Sequence, residues 1–262
     1  MANKIDASRK APRGVAFTLL ELLIVIAVIA ILACLIIGGI ASARDSAHKT
    51  ACASNLRQLA LSLQMYVNDS KDYPPLYSYP WRNGGKMWFD DLQPYTHQSW
   101  TNPLYLCPSY AGPPTTAGTV SDAGFQQPVG SYGYNIGGVG ANWSQQDLGL
   151  GGGVNMVHPQ IIGTHEPRVR VSDDMIALGD AYAADNSGRI WPDHGVVGIN
   201  FRGINSRLTD QANKRHHGKL NIVFCDGHTL APKVQALLFN HSDEALRRWN
   251  NDHEPHRELL SP

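Results

Sequence analysis

The dominant pattern in the chain is one apolar block followed by an amphipathic one. Leu22 to Ala43 reads LLIVIAVIAILACLIIGGIASA, 22 residues without a charged side chain. As a helix rising 1.5 Å per residue this block spans about 33 Å, enough for a hydrocarbon core of about 30 Å. Its Ile and Val residues are β-branched, yet in lipid an unpaired backbone is so costly that the helix prevails. Lys4, Arg9, Lys10 and Arg13 precede it, against a single acid, Asp6. Arg44 and Lys49 follow it, partly offset by Asp45. The positive-inside rule then keeps the N-terminus cytoplasmic and carries the chain beyond residue 43 across the membrane. Ala41-Ser42-Ala43 also offers a small-residue cleavage site of the kind that ends a secretory signal peptide. Against that reading, the block exceeds the usual apolar region of about 7–15 residues, and Glu21 stands at its start.

Past Ala43 the periodicity changes. Leu56, Leu59, Leu63 and Val67 follow helical spacing with Ala60 on the same stripe, while Arg44, Lys49, Arg57 and Gln58 fall off it. No proline interrupts the chain from Phe17 to Tyr73, and Asn68-Asp69-Ser70 followed by Pro74-Pro75 ends the pattern. One helix is therefore expected from about 17 to 69, with 17–43 as its membrane half and 44–70 as its amphipathic exported half. Gly38-Gly39 is the expected kink or close-packing point.

Residues 71–262 read as a mixed head. Trp88 to Tyr95 predicts a short helix, and Leu104 to Ser109 a short strand or extended piece. Residues 108–165 hold 13 of the 25 glycines and only two charges, Asp122 and Asp147, which predicts a loop-rich insertion. Gly149 to Gly153 is no phosphate loop, because no Lys-Ser/Thr follows it. Met175 to Leu178 and Leu220 to Cys225 predict two apolar strands. Asp226-Gly227 after the second is a strong hairpin signal, and Asp243 to Trp249 predicts a terminal helix. The fold class is thus α+β, a long N-terminal helix plus a head with a small antiparallel sheet.

Composition changes this picture in two ways. Lys and Arg number 22 against 22 Asp and Glu, so no basic face recommends a nucleic-acid partner. Four cysteines make no disulfide scaffold. Cys34 lies in the apolar block as a small hydrophobe. Cys52, Cys107 and Cys225 fall in the exported part, an oxidising compartment. Three is odd, so at most one internal pair forms. Cys52 with Cys107 would pin the helix to the head, though spacing alone does not set their distance.

The octet Ala16-Phe17-Thr18-Leu19-Leu20-Glu21-Leu22-Leu23 resembles the processing site of type IV prepilins and type II secretion pseudopilins. That family has a small residue, usually Gly, then Phe-Thr-Leu-x-Glu, then a long apolar helix after a short basic leader. The resemblance implies a leader of residues 1–16, cleavage by a prepilin peptidase between Ala16 and Phe17, and N-methylation of Phe17. Position 16 departs from the family norm in being Ala. A carboxylate near hydrocarbon is costly unless paired. In the resembled family the partner of the residue matching Glu21 is the N-terminal amine of a neighbouring subunit, which sets the axial stagger of a filament. Loss of the leader removes four Lys/Arg and one Asp, leaving 18 basic against 21 acidic side chains.

The stretch Cys52-Ala53-Ser54-Asn55-Leu56-Arg57-Gln58-Leu59 resembles a large bacterial group of pilin-like proteins with Cys-x-x-Asn-Leu-x-Gln-Leu at this place. Leu106-Cys107-Pro108-Ser109 and Ser131-Tyr132-Gly133-Tyr134-Asn135 match that group's order of features. So does His216, nine residues, then Asp226-Gly227, the H-x9-DG motif; position 225 is Cys where a small residue such as Ala is expected. His216, His217, Asp226 and His228 could converge across the hairpin as transition-metal ligands. The plainer reading is a turn that needs Gly227 for positive φ, with His216 hydrogen-bonded to the hairpin. No nucleophile elbow, H-E-x-x-H or Walker loop appears.

The reading is a structural subunit, not an enzyme, with no cofactor. The family implies as partners a prepilin peptidase/methyltransferase, other pilin-like subunits, an inner-membrane assembly platform and membrane lipid. It implies residence in a bacterial inner membrane, N-terminus cytoplasmic and head periplasmic. The alternatives are a membrane-anchored ligand-binding protein that forms no filament, with Trp81, Trp88, Trp100, Trp143 and Trp191 as stacking platforms, and a secreted metal-binding protein.

Overall fold

The computed structural model describes residues 18–75, 86–100, 102–110, 131–135, 137–139, 147–152, 162–180 and 215–260, with backbone alone at 35–39 and 41. The leader, Ala16, Phe17, Trp81, Trp143 and Trp191 lie outside these residues, as does much of the Gly-rich segment. The chain divides into two compact units, residues 1–44 and 45–262.

Helix α1 runs Leu19–Ser70, 52 residues, as the proline-free stretch predicts. Within the first unit its apolar side chains from Leu19 to Leu32 are exposed. Among the described residues no helix is long and apolar enough to cross a membrane.

The second unit is built around the amphipathic part of α1. Cys52, Leu56, Leu59, Ala60, Leu63 and Val67 are all buried, each large side chain contributing about 1.5–3 kcal/mol. They face an aromatic cluster in which Trp88 stacks on Tyr134 at 5.4 Å and Phe89 stacks on Trp100 at 4.2 Å. Trp88 and Trp100 are therefore core residues, which removes these two from the alternative reading as stacking platforms. The segment 88–96 forms two short helices, α2 Trp88–Asp91 and α3 Gln93–Thr96. Residues Pro103–Tyr105 form a 3-10 turn, so of the strand or extended piece expected over Leu104 to Ser109 the first two residues are helical and Leu106 is extended. Pro103 at its first position cannot donate to a ladder, and Asn102 caps it by accepting from Leu104 N–H at 2.9 Å.

Four antiparallel strands, β1 Tyr132–Tyr134, β2 Ile176–Asp180, β3 Ile222–Phe224 and β4 Thr229–Leu230, lie in the order β1-β2-β3-β4. Alternation divides the sheet between two cores. Tyr132, Tyr134, Ala177, Leu178 and Val223 join the cluster on α1. Ile176, Ile222 and Phe224 join Val234, Leu237, Leu246 and Trp249 on the other face. Helices α4 Val234–Leu238 and α5 Asp243–Arg247 supply that second layer. Asn135, fully buried, fastens the two layers. Its Nδ2 donates to the carbonyls of Ile176 and Trp249, both at 2.8 Å, and its Oδ1 accepts from Gly138 N–H at 3.1 Å.

Candidate functional site

At the start of α1 a threonine and a glutamate three residues apart satisfy each other's backbone. Glu21 Oε2 accepts from Thr18 N–H at 2.9 Å and from Thr18 Oγ1 at 2.8 Å, and Thr18 Oγ1 accepts from Glu21 N–H at 3.2 Å. This is a capping box at the helix N-terminus. Glu21 thus has a local structural role that the Phe-Thr-Leu-Leu-Glu motif did not suggest, although Thr-x-x-Glu is the sequence sign of such a box.

The Cys-x-x-Asn-Leu-x-Gln-Leu stretch is a single docking stripe of α1. Cys52 is disulfide-bonded to Cys107, with Cα atoms 5.0 Å apart. One turn later, Asn55 Nδ2 donates to the carbonyls of Pro103 at 3.2 Å and Leu106 at 3.3 Å. Leu56 and Leu59 fill the core below. Gln58 stays exposed, its Nε2 3.4 Å from the Ser54 carbonyl. The far end of the link is held by Cys107 N–H, which donates to Ser131 Oγ at 2.6 Å. Of the other two cysteines, Cys34 is exposed and Cys225 is buried, its thiol pushed up to about 12 by burial.

The two halves of the H-x9-DG motif do not meet as ligands. Asp226-Gly227 forms the β3–β4 turn. Gly227 has φ +92°, its N–H donates to Phe224 O at 2.9 Å, and a Cβ there would come within 2.7 Å of Gln64 Nε2 on α1. Asp226 Oδ1 accepts from His228 N–H at 3.0 Å and lies 2.7 Å from His228 Nδ1. His216 turns the other way, within a left-handed run formed by His216 (φ 45°), His217 (φ 57°) and Gly218 (φ 78°). The convergence of His216, His217, Asp226 and His228 on a metal is therefore corrected: among the described residues they do not gather their donor atoms, because the hairpin commits Asp226 to His228.

His216 instead enters a buried charged cluster that sequence reasoning missed. Asp180 ends β2 and has no solvent exposure; Arg215 Nη1 lies 3.8 Å from its Oδ1, and His216 Nε2 3.5 Å from its Oδ2. Asn221 N–H donates to Asp180 Oδ2 at 2.7 Å, and Arg215 also covers the Tyr110 ring at 4.4 Å. Burial raises the Asp180 carboxyl to about 6, against the pull of Arg215 and Asn221. Burial, then Arg215, lowers His216 to about 4, so its ring is neutral at pH 7. The same ring nitrogen lies 3.3 Å from Cys107 Sγ. Among the described residues, the donor atoms that converge as a metal site would need are those of Cys52, Cys107 and His216, all within 4.8 Å of one another.

These features define an α+β protein whose long N-terminal helix carries a disulfide-tied, aromatic-packed head. The chain is 32% identical over 108 residues to the type II secretion system core protein G of Pseudomonas aeruginosa, a match spanning 37% of this chain and 76% of that protein. It belongs to the family of that protein. No protein-family model matches the chain, and no solved structure does.

Proposed function

We propose that the chain is a structural, pilin-like subunit of a type II secretion or type IV pilus-like envelope filament. One observation carries this reading. Leu19, Leu20, Leu22, Leu23, Ile24 and their successors to Leu32 expose about half or more of their surface on one helix. An apolar surface of that extent on a single chain calls for a cover. Lipid covers it before assembly, and the same helices of neighbouring subunits cover it afterwards. The similarity to a secretion-system core protein supports the class. Prepilin peptidase cuts between Ala16 and Phe17 on the cytoplasmic side and methylates Phe17. The apolar half of α1 anchors the subunit in the inner membrane until the assembly platform draws it out. Glu21 then takes the amine of a neighbouring Phe17, exchanging its capping partner for an ion pair between subunits.

N-terminal sequencing and mass analysis of the mature protein test the processing. A chain beginning at N-methylated Phe17 is expected; one beginning at Arg44 refutes the proposal. Cross-linking in membranes tests assembly. Glu21→Gln should abolish the oligomer ladder, while Thr18→Ala, which removes the hydroxyl part of the cap and keeps the carboxylate, should retain it. Equal ladders from Glu21→Gln and the wild type would sink the pairing role.

A further inference from the structure

The surroundings of His216 are unusual for a buried imidazole. Its side chain has no solvent exposure. Nδ1 has no hydrogen-bond partner. Nε2 faces a sulfur at 3.3 Å and a carboxylate oxygen only at 3.5 Å, too long for a strong bond. With Nε2 as a ligand, Nδ1 keeps the ring proton and stays unbonded, so it is the weak contacts of Nε2 that point to an ion. The two sulfurs beside it are Cys52 and Cys107, 0% and 1% exposed. Tetrahedral bonds of about 2.3 Å to sulfur and about 2.0–2.1 Å to nitrogen place such donors roughly 3.5 Å apart. The Cys107 Sγ to His216 Nε2 distance of 3.3 Å is already close to that.

We propose that the dithiol form of Cys52 and Cys107, together with His216 Nε2, holds a zinc-class divalent cation, so that disulfide and metal are alternative occupants of one site. Reduction by an external dithiol transfers two electrons and two protons to the disulfide, and the donor leaves as its own disulfide. Metal binding then releases the two thiol protons to solvent, since thiolates are the ligands. Two thiolates, a neutral imidazole and a divalent ion sum to zero charge. A monovalent copper ion would leave one negative charge in a buried site, which is costly. Three protein ligands leave the fourth position open. A cavity of about 250 Å³ lined by Asp45, His48, Pro108, Ser109, His216 and His217 lies beside this residue, although the imidazole itself is shut off from solvent. The site is independent of whether the chain assembles.

The test uses the full chain in detergent micelles, reduced anaerobically with a phosphine, desalted and titrated with Co2+ and then Zn2+. The expected result is one equivalent of cobalt, with sulfur-to-cobalt charge-transfer absorption and intense tetrahedral d–d bands that zinc displaces. The oxidised protein should show neither. Cys52→Ser, which retains Cys34, Cys107 and Cys225, should lose the bands. His216→Gln should weaken cobalt binding at least tenfold while the thiol count stays that of the reduced wild type. Absence of sulfur–cobalt absorption in reduced protein whose thiols titrate as free overturns the proposal. So does equal affinity in His216→Gln. Should reduction abolish the near-UV circular dichroism, its recovery with one equivalent of Zn2+ supports the site and failure to recover overturns it. The oxidised-against-reduced comparison needs no variant, so a misfolded mutant cannot mask the answer.

Discussion

Replacing both Cys52 and Cys107 by Ala removes the one covalent tie between α1 and the rest of the second unit among the described residues. The bond closes a loop with a sequence separation of 55. In the chain-entropy treatment, closing such a loop removes about 14 cal/mol/K from the unfolded ensemble, or about 4 kcal/mol at 25 °C. The missing sulfurs also leave small voids in the core cluster that holds both cysteines, worth about 1 kcal/mol more. Urea unfolding of the full chain in micelles, with chelator present, reads this loss through tryptophan fluorescence, since Trp88 and Trp100 are buried. At a slope of about 2–3 kcal/mol/M the midpoint should fall by about 1.7–2.5 M. Metal-free reduced wild type should fall by a similar amount. A loss under about 1 kcal/mol at unchanged slope refutes the reasoning, because it would mean that the tie constrains neither state.

Three further outcomes follow from named contacts. Gly227→Ala should cost about 1–3 kcal/mol, and adding Gln64→Ala should recover only part, because φ +92° persists once the Gln64 contact is gone; full recovery in chemical denaturation would remove the backbone explanation. Asn135→Ala should cost about 3 kcal/mol, since it strands the carbonyls of Ile176 and Trp249 and the amide of Gly138; a loss below about 1 kcal/mol in the same assay counts against its role as a fastener. His216→Gln should change the pH dependence of stability. The folded value near 4 lies below the ordinary imidazole value of 6.5, so the unfolded chain binds the extra proton between them and His216 makes stability rise with pH across about 4 to 6.5. Asp180, raised from 3.8 to about 6, acts oppositely, lowering stability as pH rises from about 4 to 6. The advantage of wild type over variant should therefore grow by about 3 kcal/mol from pH 4 to 6.5, and parallel curves would refute it.

The sequence made some of this legible because periodicity reports burial. The stripe from Leu56 to Val67 repeats at helical spacing, and those residues form the α1 face of the core. Met175 to Leu178 and Leu220 to Cys225 are short apolar runs between turn signals, and strands β2 and β3 lie within a residue or two of them. Asp226-Gly227 needs only local chemistry, so its turn follows directly. The 3-10 turn at Pro103–Tyr105 was hidden because Leu104, Tyr105 and Leu106 have the apolar content of a strand, and the cap on Asn102 decides otherwise. The Asp180–Arg215–His216 cluster left no trace, because Asp180 sits 35 positions before Arg215 and no spacing rule links a strand end to a left-handed turn. Trp88 and Trp100 could serve either as stacking platforms or as packing in the sequence, and only the folded chain shows that Tyr134 and Phe89 cover them.

The link between Cys52 and Cys107 also sets how tension would travel through the chain. A pull entering along the backbone before Cys52 and leaving after Cys107 takes the short covalent path through the two sulfurs. The intervening loop, about 180 Å when extended at about 3.3 Å per residue, is withheld from stretching. The amphipathic end of α1 and the segment bearing Trp88, Phe89 and Trp100 carry no force while that bond lasts. The docking surface and the aromatic cluster are thus mechanically bypassed, and under load the chain yields first outside residues 52–107.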